Sequence, residues 1–576
     1  MRILQRLGKT LLILSVFAVS TFFALRYGTG GLWRGLEAAH AVTAPGQPKV
    51  PYDLTQLVAV NETLKTIRDK YVDPKRVEPR LMFVSALDEI QKEVAQVIVL
   101  HDEKSPTVKV RVGTEEKEFR VDNVQGPWDV SARLREVFAF LQANLKDTDV
   151  DLREIEYAAC NGMLATLDPH SVFMSPESYR EMNLSTSGPF GGLGIVISIR
   201  DQTLTVMRPM PDTPAGRANL RRLDRIMKIN NESTLNMPLD DAVNRLRGKP
   251  GTQVTIWVHR DGKDGWSGSR PFVLTREEIR IRSVEGRLLQ PGSAYVRLKH
   301  FQSSTAKELE DTLDTLREKE PLKGVVLDLR GNPGGLLDQA AKVADHFLDN
   351  GVIVATVGHS EGREEKRATR RGTEPPYPMV VLVNPSSASA SEIVAGALKN
   401  QNRAVIVGQR TFGKGSVQLV FPKVTPDGAA LKLTIAQYLT PGDISIQGVG
   451  VSPDIELDPM TVDSKEMDLF RTEDPLRERD LDKSLTNEAK RDSDRPTLKV
   501  RYNLPESERA EMRERGADLD DEFREDFNIR CAKQLVAKMP VGKRQDEVSA
   551  VRQLVEGIEK KELDAVKSDL SKMGVD

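Results

Sequence analysis

Residues 379–400 read MVVLVNPSSASASEIVAGALKN. A short apolar run at 379–383 ends in Asn384-Pro385, small residues follow, and an amphipathic stretch runs from Ser389 to Leu398. This is a strand handing over to a helix, and the pattern repeats on both sides. Further strand candidates stand at 295–298, 325–329, 352–356 and 405–407, with amphipathic helices at 305–316 and 336–348 between them. Strands alternating with helices predict an α/β domain with a largely parallel sheet. Extended segments at 417–421 and 431–439 close it.

Upstream the pattern changes. From Gly188 to Arg276 short strands dominate, with one or two helices. Between 54 and about 99 the apolar spacing is helical, as in Leu57, Val60, Leu64 and Ile67. Alternation at Val108, Val110 and Val112, a turn at Gly113, then Phe119 and Val121 predict a hairpin. Residues 131–145 and 152–166 read as helix again. Beyond Pro459 charge takes over: residues 462–576 carry 29 acidic and 24 basic side chains. The first part of this stretch reads as a solvated linker. The rest reads as a small helical hairpin, with Phe527, Cys531 and Leu535 on one face and Val551, Val555 and Ile558 on another.

At the other end, Arg2, Arg6 and Lys9 precede an uncharged apolar run at 11–25. Fifteen residues are short for a spanning helix, which needs ~20, and a basic flank before such a run marks a secretory signal. Thr10 at one end and Arg26-Tyr27-Gly28 at the other stretch the run towards anchor length, and the small-residue site at Ala39-His40-Ala41 lies far from its end. An uncleaved anchor is therefore favoured over a cleaved signal, with the body exported.

The 576 residues include 83 basic and 85 acidic side chains, a formal net charge of −2. No basic excess points to nucleic acid. Two cysteines rule out a disulfide framework and a four-cysteine zinc site. Seven histidines without an HExxH give metal chemistry little support.

Two motifs mislead. Gly358-His359-Ser360-Glu361-Gly362 has the form of a nucleophile elbow, but REEKRATRRG follows it with no apolar helical face, and no histidine lies downstream. Residues 408–415, GQRTFGKG, resemble a phosphate-binding loop, but Gly415 stands where Mg²⁺ needs a hydroxyl.

The serines at 386, 387, 389 and 391 sit at the strand–helix junction, where helix capping is the ordinary reading and Glu392 completes a capping box. Lys414 adds a chemical alternative. A lysine amine is a poor base at neutral pH unless burial lowers its pKa. A neutral amine can then take a serine proton. Gln418 falls on the same face of an extended chain and adds no charge. The glycines of Arg330-Gly331-Asn332-Pro333-Gly334-Gly335, at a strand end, suit an oxyanion hole. Chemistry alone leaves the choice among the four serines open.

These stretches resemble the carboxyl-terminal processing proteases, serine peptidases of family S41 with a Ser–Lys dyad and an embedded PDZ domain. The matching segments, in family order, are NGMLATLDPHS (161–171), GPFGGLGI (188–195), DLRGNPGG (328–335), SASASEIVAGAL (387–398), TFGKGSVQ (411–418) and QGVGVSPD (447–454). The resemblance implies a crotonase/ClpP-like α/β protease core with an embedded, β-rich PDZ domain, plus helical N-terminal and C-terminal regions. It implies Ser389 as nucleophile, 25 residues before its lysine, with Lys414 as general base and Gln418 orienting it. The oxyanion donors would be the backbone N–H of Ala390 and of Gly334 or Gly335. Gly192, Leu193, Gly194 and Ile195 look like the PDZ carboxylate-binding loop. The family commonly has Gly at Asn219 and Pro or Gly before Asp224, where this chain has Leu223, which puts that turn's geometry in question. Arg221 or Arg222 would be an activation switch.

The expected organisation is 1–28 signal or membrane anchor, 29–52 tether, 53–186 mostly helical region with inserted hairpin, 187–276 PDZ domain, 277–460 Ser–Lys protease core and 461–576 charged helical extension. The expected activity is that of a serine endopeptidase acting on polypeptides with free C-termini, without cofactor, metal or nucleic acid. It would sit in the bacterial periplasm, held to the inner membrane by the N-terminal anchor. The hairpin and the extension are open to dimerisation (a homo-oligomer), adaptor docking or caging of the active site. The rival reading is a catalytically silent PDZ scaffold on a protease fold.

Overall fold

The computed structural model describes residues 52–572, apart from 103–104, 147, 361, 463–466, 469–474, 487–489, 492–495, 506–507 and 509–522. The expected anchor and nearly all of the tether lie outside the described residues. Among the described residues no helix is long and apolar enough to cross a membrane. The chain forms two units. One comprises residues up to Glu181, Ser283–Phe301 and Thr305 onward; the other is Met182–Arg282 with Gln302–Ser304.

The larger unit is built on the sheet anticipated from 379–400. Strands Ser293–Leu298, Gly324–Asp328, Met379–Val383, Val405–Gly408 and Ile455–Val462 pair in parallel, and Val284–Gln290 pairs antiparallel at the edge. Gly324–Asp328 and Met379–Val383 are buried at every position, which requires cover on both faces. Helices Thr305–Lys319, Leu337–Asp345 and Ala390–Asn400 cover one face. The other face is covered from the charged end of the chain. Strand Leu498–Asn503 pairs in parallel with Ile455–Val462, extending the sheet past residue 460. Helix Phe527–Lys538 packs Ile529, Ala532, Leu535 and Val536 on Val326 and Val380, and Val548, Val551 and Val555 join the same cluster. The strand at 498–503 and the described parts of the expected helical hairpin are therefore folded into the core, and the described part of the expected solvated linker carries buried Glu478, Leu481 and Leu485. Charge density misled because these elements alternate buried apolar with exposed charged residues, as in the Leu498–Asn503 strand.

A second sheet centres on the long strand Ala430–Thr440, paired with Ser416–Phe421, Val352–Gly358 and Val172–Met174. Helices Val58–Lys70, Pro79–Glu93, Pro127–Asn144 and Leu152–Ala165 share one core with its residues Ala429, Leu431 and Leu433. The helical spacing expected up to 99 stops earlier: Val97–His101 is a strand, added to the Thr107–Val112/Glu115–Arg120 hairpin as a three-stranded sheet. The Val and Leu there alternate with exposure (Val97 and Val99 buried, Ile98 and Leu100 exposed), a period of two that a short apolar run conceals. Gly358 and Gly362, the two ends of the GxSxG match, pair with each other across the antiparallel strands Val352–Gly358 and Gly362–Arg367.

The smaller unit is built on an antiparallel sheet. Its strands lie in the order Arg270–Thr275, Gln253–His259, Arg225–Ile229, Thr203–Pro209, Ile195–Arg200, with the helix Leu239–Leu246 packed on its core. Ile195–Arg200 is an edge strand.

Candidate active site

Ser389 is the N-cap of the helix Ala390–Asn400 and has φ 54°, ψ −112°. That backbone region is all but closed to side-chain-bearing residues and costs of order 1–3 kcal/mol unless surroundings enforce it. The enforcement is visible. Glu392 Oε2 accepts the Ser389 N–H at 2.8 Å. The Ser389 carbonyl takes the N–H of Glu392 and Ile393, both at 2.9 Å, so its hydroxyl is not spent on them. Upstream, Ala388 N–H and Ser391 Oγ both donate to Asn332 O, at 3.0 and 2.9 Å. Ser387, fully buried, donates to Leu329 O. Of the four serines, 387 and 391 are thus engaged in holding the junction, which the sequence could not show.

Asn332 also organises the glycine loop. Gly334 stands so close to the serine that a Cβ there would lie 2.9 Å from Ser389 Cβ and 3.0 Å from Ala390 N. Its N–H, however, donates to Asn332 Oδ1 at 2.9 Å. Gly335 has φ 141°, and a Cβ there would lie 2.2 Å from Phe301 O, so no other residue fits. Ala390 is the first residue of its helix, where an N–H has no partner within the helix. The loop is anchored from below by Arg330, which makes a bidentate pair with buried Asp328 and reaches Asp526 at 2.9 Å.

Lys414 precedes the strand Ser416–Phe421. The carboxylate of Glu392, completely buried, ties its loop to the serine. Oε1 accepts from Thr411 Oγ1 at 2.6 Å and Gly413 N at 2.7 Å, and Oε2 accepts from Lys414 N at 2.8 Å as well as from Ser389 N. Two bonds of 2.8 Å to one oxygen hold the backbone nitrogens of Ser389 and Lys414 within 5.6 Å of each other. Burial pushes the Glu392 carboxyl up to about 7, against the four donors that favour its ionised form. Burial pushes the Lys414 amine below its ordinary value, opposed by the charges of Glu478, Asp168 and Glu392. Among the described residues no carboxylate lies within ion-pair distance of the amine. Lys432, on the strand Ala430–Thr440, is brought down to about 7 by burial and by the Lys414 charge.

Gln418 donates through Nε2 to Ser416 Oγ at 2.9 Å and Thr434 Oγ1 at 3.2 Å, which leaves Oε1 as its accepting end. Thr434 Oγ1 in turn donates to Asp168 Oδ1 at 2.8 Å. The sequence singled out Ser389, Lys414, Gln418, Ala390, Gly334 and Gly335. It valued Glu392 only as a cap and missed the carboxylate's second task, because the lysine loop lies 22 residues away in the chain. Asp168 and Gln447 lie inside the quoted motifs 161–171 and 447–454, and that was the available signal.

In the smaller unit, Gly192-Leu193-Gly194-Ile195 forms the loop entering the edge strand. Leu193 is buried, its carbonyl accepts from Ala215 N at 3.0 Å, and Gly194 has φ 72° with Thr213 where a Cβ would go. The turn that departs from the family keeps a left-handed backbone at both positions, with Asn219 at φ 55° and Leu223 at φ 70°. Buried Asp224 below it pairs with Arg260. Arg221 makes an exposed pair with Asp264 at 2.9 Å, and Arg222 is exposed.

Large parts of the chain are similar in sequence to known proteases. The sequence model of peptidase family S41 matches residues 292–457 and that of the PDZ domain matches residues 181–259. A carboxy-terminal-processing protease of Bartonella bacilliformis is 39% identical over 363 residues, covering 62% of this chain and 82% of the relative. A carboxyl-terminal-processing protease of Synechocystis is 38% identical over 309 residues, covering 52% and 71%. Among solved structures, the photosystem II D1 C-terminal processing protease aligns over 71% of this chain and 94% of its own, with 28% identity and a TM-score of 0.38.

Proposed function

This chain belongs to the carboxy-terminal-processing proteases of peptidase family S41, and on that premise we propose that it is a serine endopeptidase working through a Ser389–Lys414 dyad. The observation that carries the reading is the single buried carboxylate, Glu392, that bonds the backbone of both residues at once. A strained serine facing a glycine loop and a partly buried lysine that has no ion pair among the described residues support it further.

The neutral Lys414 amine takes the Ser389 hydroxyl proton as Oγ attacks the scissile carbonyl. The oxyanion accepts from Ala390 N–H, at a helix N-terminus, and from Gly335 N–H, since Gly334 N–H is taken by Asn332. The Lys414 ammonium passes the proton to the leaving amine, and an ester remains on Ser389. Water then attacks the ester, giving its proton to Lys414, and as the acyl–Oγ bond breaks Lys414 passes that proton to Ser389 Oγ, which releases the new carboxyl end and restores both the serine and the neutral amine. Gln418 Oε1 accepts from the amine and aims it. Upstream of the chemistry, Gly192–Gly194 offers backbone N–H groups to a terminal carboxylate, and the peptide adds as a strand along Ile195–Arg200. The basic-then-apolar leader at 1–28 supports export across the bacterial inner membrane.

The test uses β-casein and a peptide substrate with an apolar tail. Ser389→Ala and Lys414→Ala should each abolish cleavage with the fold intact; cleavage at the wild-type rate by either refutes the dyad. Amidating the tail should weaken binding, and unchanged binding refutes carboxylate capture.

A further inference from the structure

Segment 475–486 lies outside the family match and was expected to be solvated, yet it carries a completely buried glutamate. Glu478 has no exposed surface. Both its oxygens lie 2.9 Å from His170 Nε2, and Oε1 also accepts from Gln447 Nε2 at 3.1 Å. Gln447 uses its other end on the lysine loop, where Oε1 accepts Gly415 N–H at 2.8 Å. The same segment reaches the loop by its backbone: Glu478 N–H donates to Phe412 O at 3.2 Å, and Arg477 Nη1 to Thr411 O at 2.9 Å. His170 continues the path. Its N–H and that of Ser171 donate to Asp168 Oδ1, which also accepts from Thr434, the partner of Gln418. The loop 411–415 is thus gripped from two sides, by Glu392 towards the serine and by Glu478 and Gln447 from behind.

We propose that Glu478, bound to His170 and Gln447, is a positioning residue for the lysine-bearing loop, and that segment 475–486 is part of the catalytic apparatus. The proposal rests on the dyad reading above. A buried carboxylate is expensive unless paired and fully hydrogen-bonded, and here its donors are the groups that shape the lysine loop. Its charge also acts on the amine. The ionisable groups facing this cluster are His170 and Asp168 from the loop after helix Leu152–Ala165, Glu392 from the serine helix, Lys432 from the long strand, and Lys414 itself. Arg477, Arg479 and Asp480 flank Glu478 on its own segment. Burial and the Lys414 charge push His170 down; burial works to raise Glu478, but His170, the hydrogen bond from Gln447 and the Lys414 charge together hold it below its ordinary value. Glu478 is therefore an anion that favours the protonated amine, in opposition to burial.

The experiment compares the purified full chain with Glu478→Ala, Glu478→Gln, Gln447→Ala and Ser389→Ala, reading β-casein cleavage from pH 5 to 10 and amide exchange in peptides spanning 409–418 and 390–400. In Glu478→Ala and Gln447→Ala the amides of 413–415 should exchange faster while 393–400 keep their protection. kcat should fall on the order of 100-fold, the usual result of misplacing a reacting group by about 1 Å, with KM changed less than about 2-fold. Glu478→Gln should move the acid limb of the pH profile to lower pH, since removing the anion lets Lys414 lose its proton more readily. Unchanged exchange at 413–415, unchanged kcat, or a lowered kcat with an unmoved acid limb each overturns the proposal. If Glu478→Ala does not fold, Gln447→Ala carries the same reading. Wild-type cleavage by Ser389→Ala would instead refute the dyad, and the exchange measurement would still judge Glu478.

Discussion

Replacing Glu392 by glutamine keeps its shape and removes its charge. The wild-type carboxylate accepts four hydrogen bonds, two on each oxygen. Glutamine has one accepting oxygen, which can keep Thr411 and Gly413. Its NH₂ then faces the N–H groups of Ser389 and Lys414, donor against donor. Two buried donors without partners cost about 1–3 kcal/mol each, so about 2–6 kcal/mol together. A compensating gain exists. The carboxyl titrates near 7 rather than at 4.5, so keeping it ionised in the folded protein at pH 8 costs about 3 kcal/mol, which the amide does not incur. The net loss of stability at pH 8 should be no more than about 3 kcal/mol, a drop of a few °C in melting temperature. Catalysis has no such offset, since the lost bonds are the two that join serine to lysine, and kcat should fall on the order of 100-fold. The sign with pH follows from linkage. With its pKa raised on folding, the carboxyl binds more proton in the folded than in the unfolded state between 4.5 and 7. Wild-type stability therefore declines across that window as pH rises, and Glu392→Gln should lack that contribution. Thermal melts at pH 5 and pH 8 and β-casein turnover at pH 8 make the test. Wild-type kcat in the variant would refute the tie between serine and lysine, and global unfolding would refute the offset.

Three further outcomes are expected. Leu223→Gly should raise the melting temperature of the smaller unit by removing about 1 kcal/mol of left-handed strain from a half-exposed side chain; a lower value would mean that the side chain's packing outweighs its backbone. Lys432→Met should leave the acid limb of activity in place, because Lys432 itself loses its proton near pH 7 under the Lys414 charge and is not among the charges acting on Lys414; a shifted limb in the pH profile refutes that order of titration. Deleting residues from 527 onward should leave an insoluble or protease-sensitive chain. It uncovers Val326, Val380 and Val405 and removes Ile529, Leu535, Val536, Val551 and Val555 from the core, each worth about 1.5–3 kcal/mol, against a total stability of 5–15 kcal/mol. A soluble truncated chain melting at the wild-type temperature would refute that account.

The legible features were those encoded over short distances. The run 379–383 is all apolar and became a central strand buried on both faces. The small residues at 386–391 became a junction so close to residue 334 that a Cβ there would meet Ser389 Cβ at 2.9 Å and Ala390 N at 3.0 Å. The glycines of the lysine loop and of the 330–335 loop marked backbone that must come close to something, without saying to what. Gln418 was recognisable through its place in TFGKGSVQ, and its partners Ser416 and Thr434 became visible only when the second sheet formed.

What pattern and resemblance specified was the alternation of strands and helices, the order of the motifs and the residue types able to do acyl transfer, because periodicity and local backbone demands act within a few residues. The folded chain alone supplied the electrostatics. Burial lowers the Lys414 amine, and the charges of Glu478, Asp168 and Glu392, brought to residue 414 from distant parts of the chain, oppose that shift. The same holds for the charged C-terminal stretch. Its composition describes the solvent-facing half of each element, while the half that completes the sheet and reaches the lysine loop is selected by what it packs against.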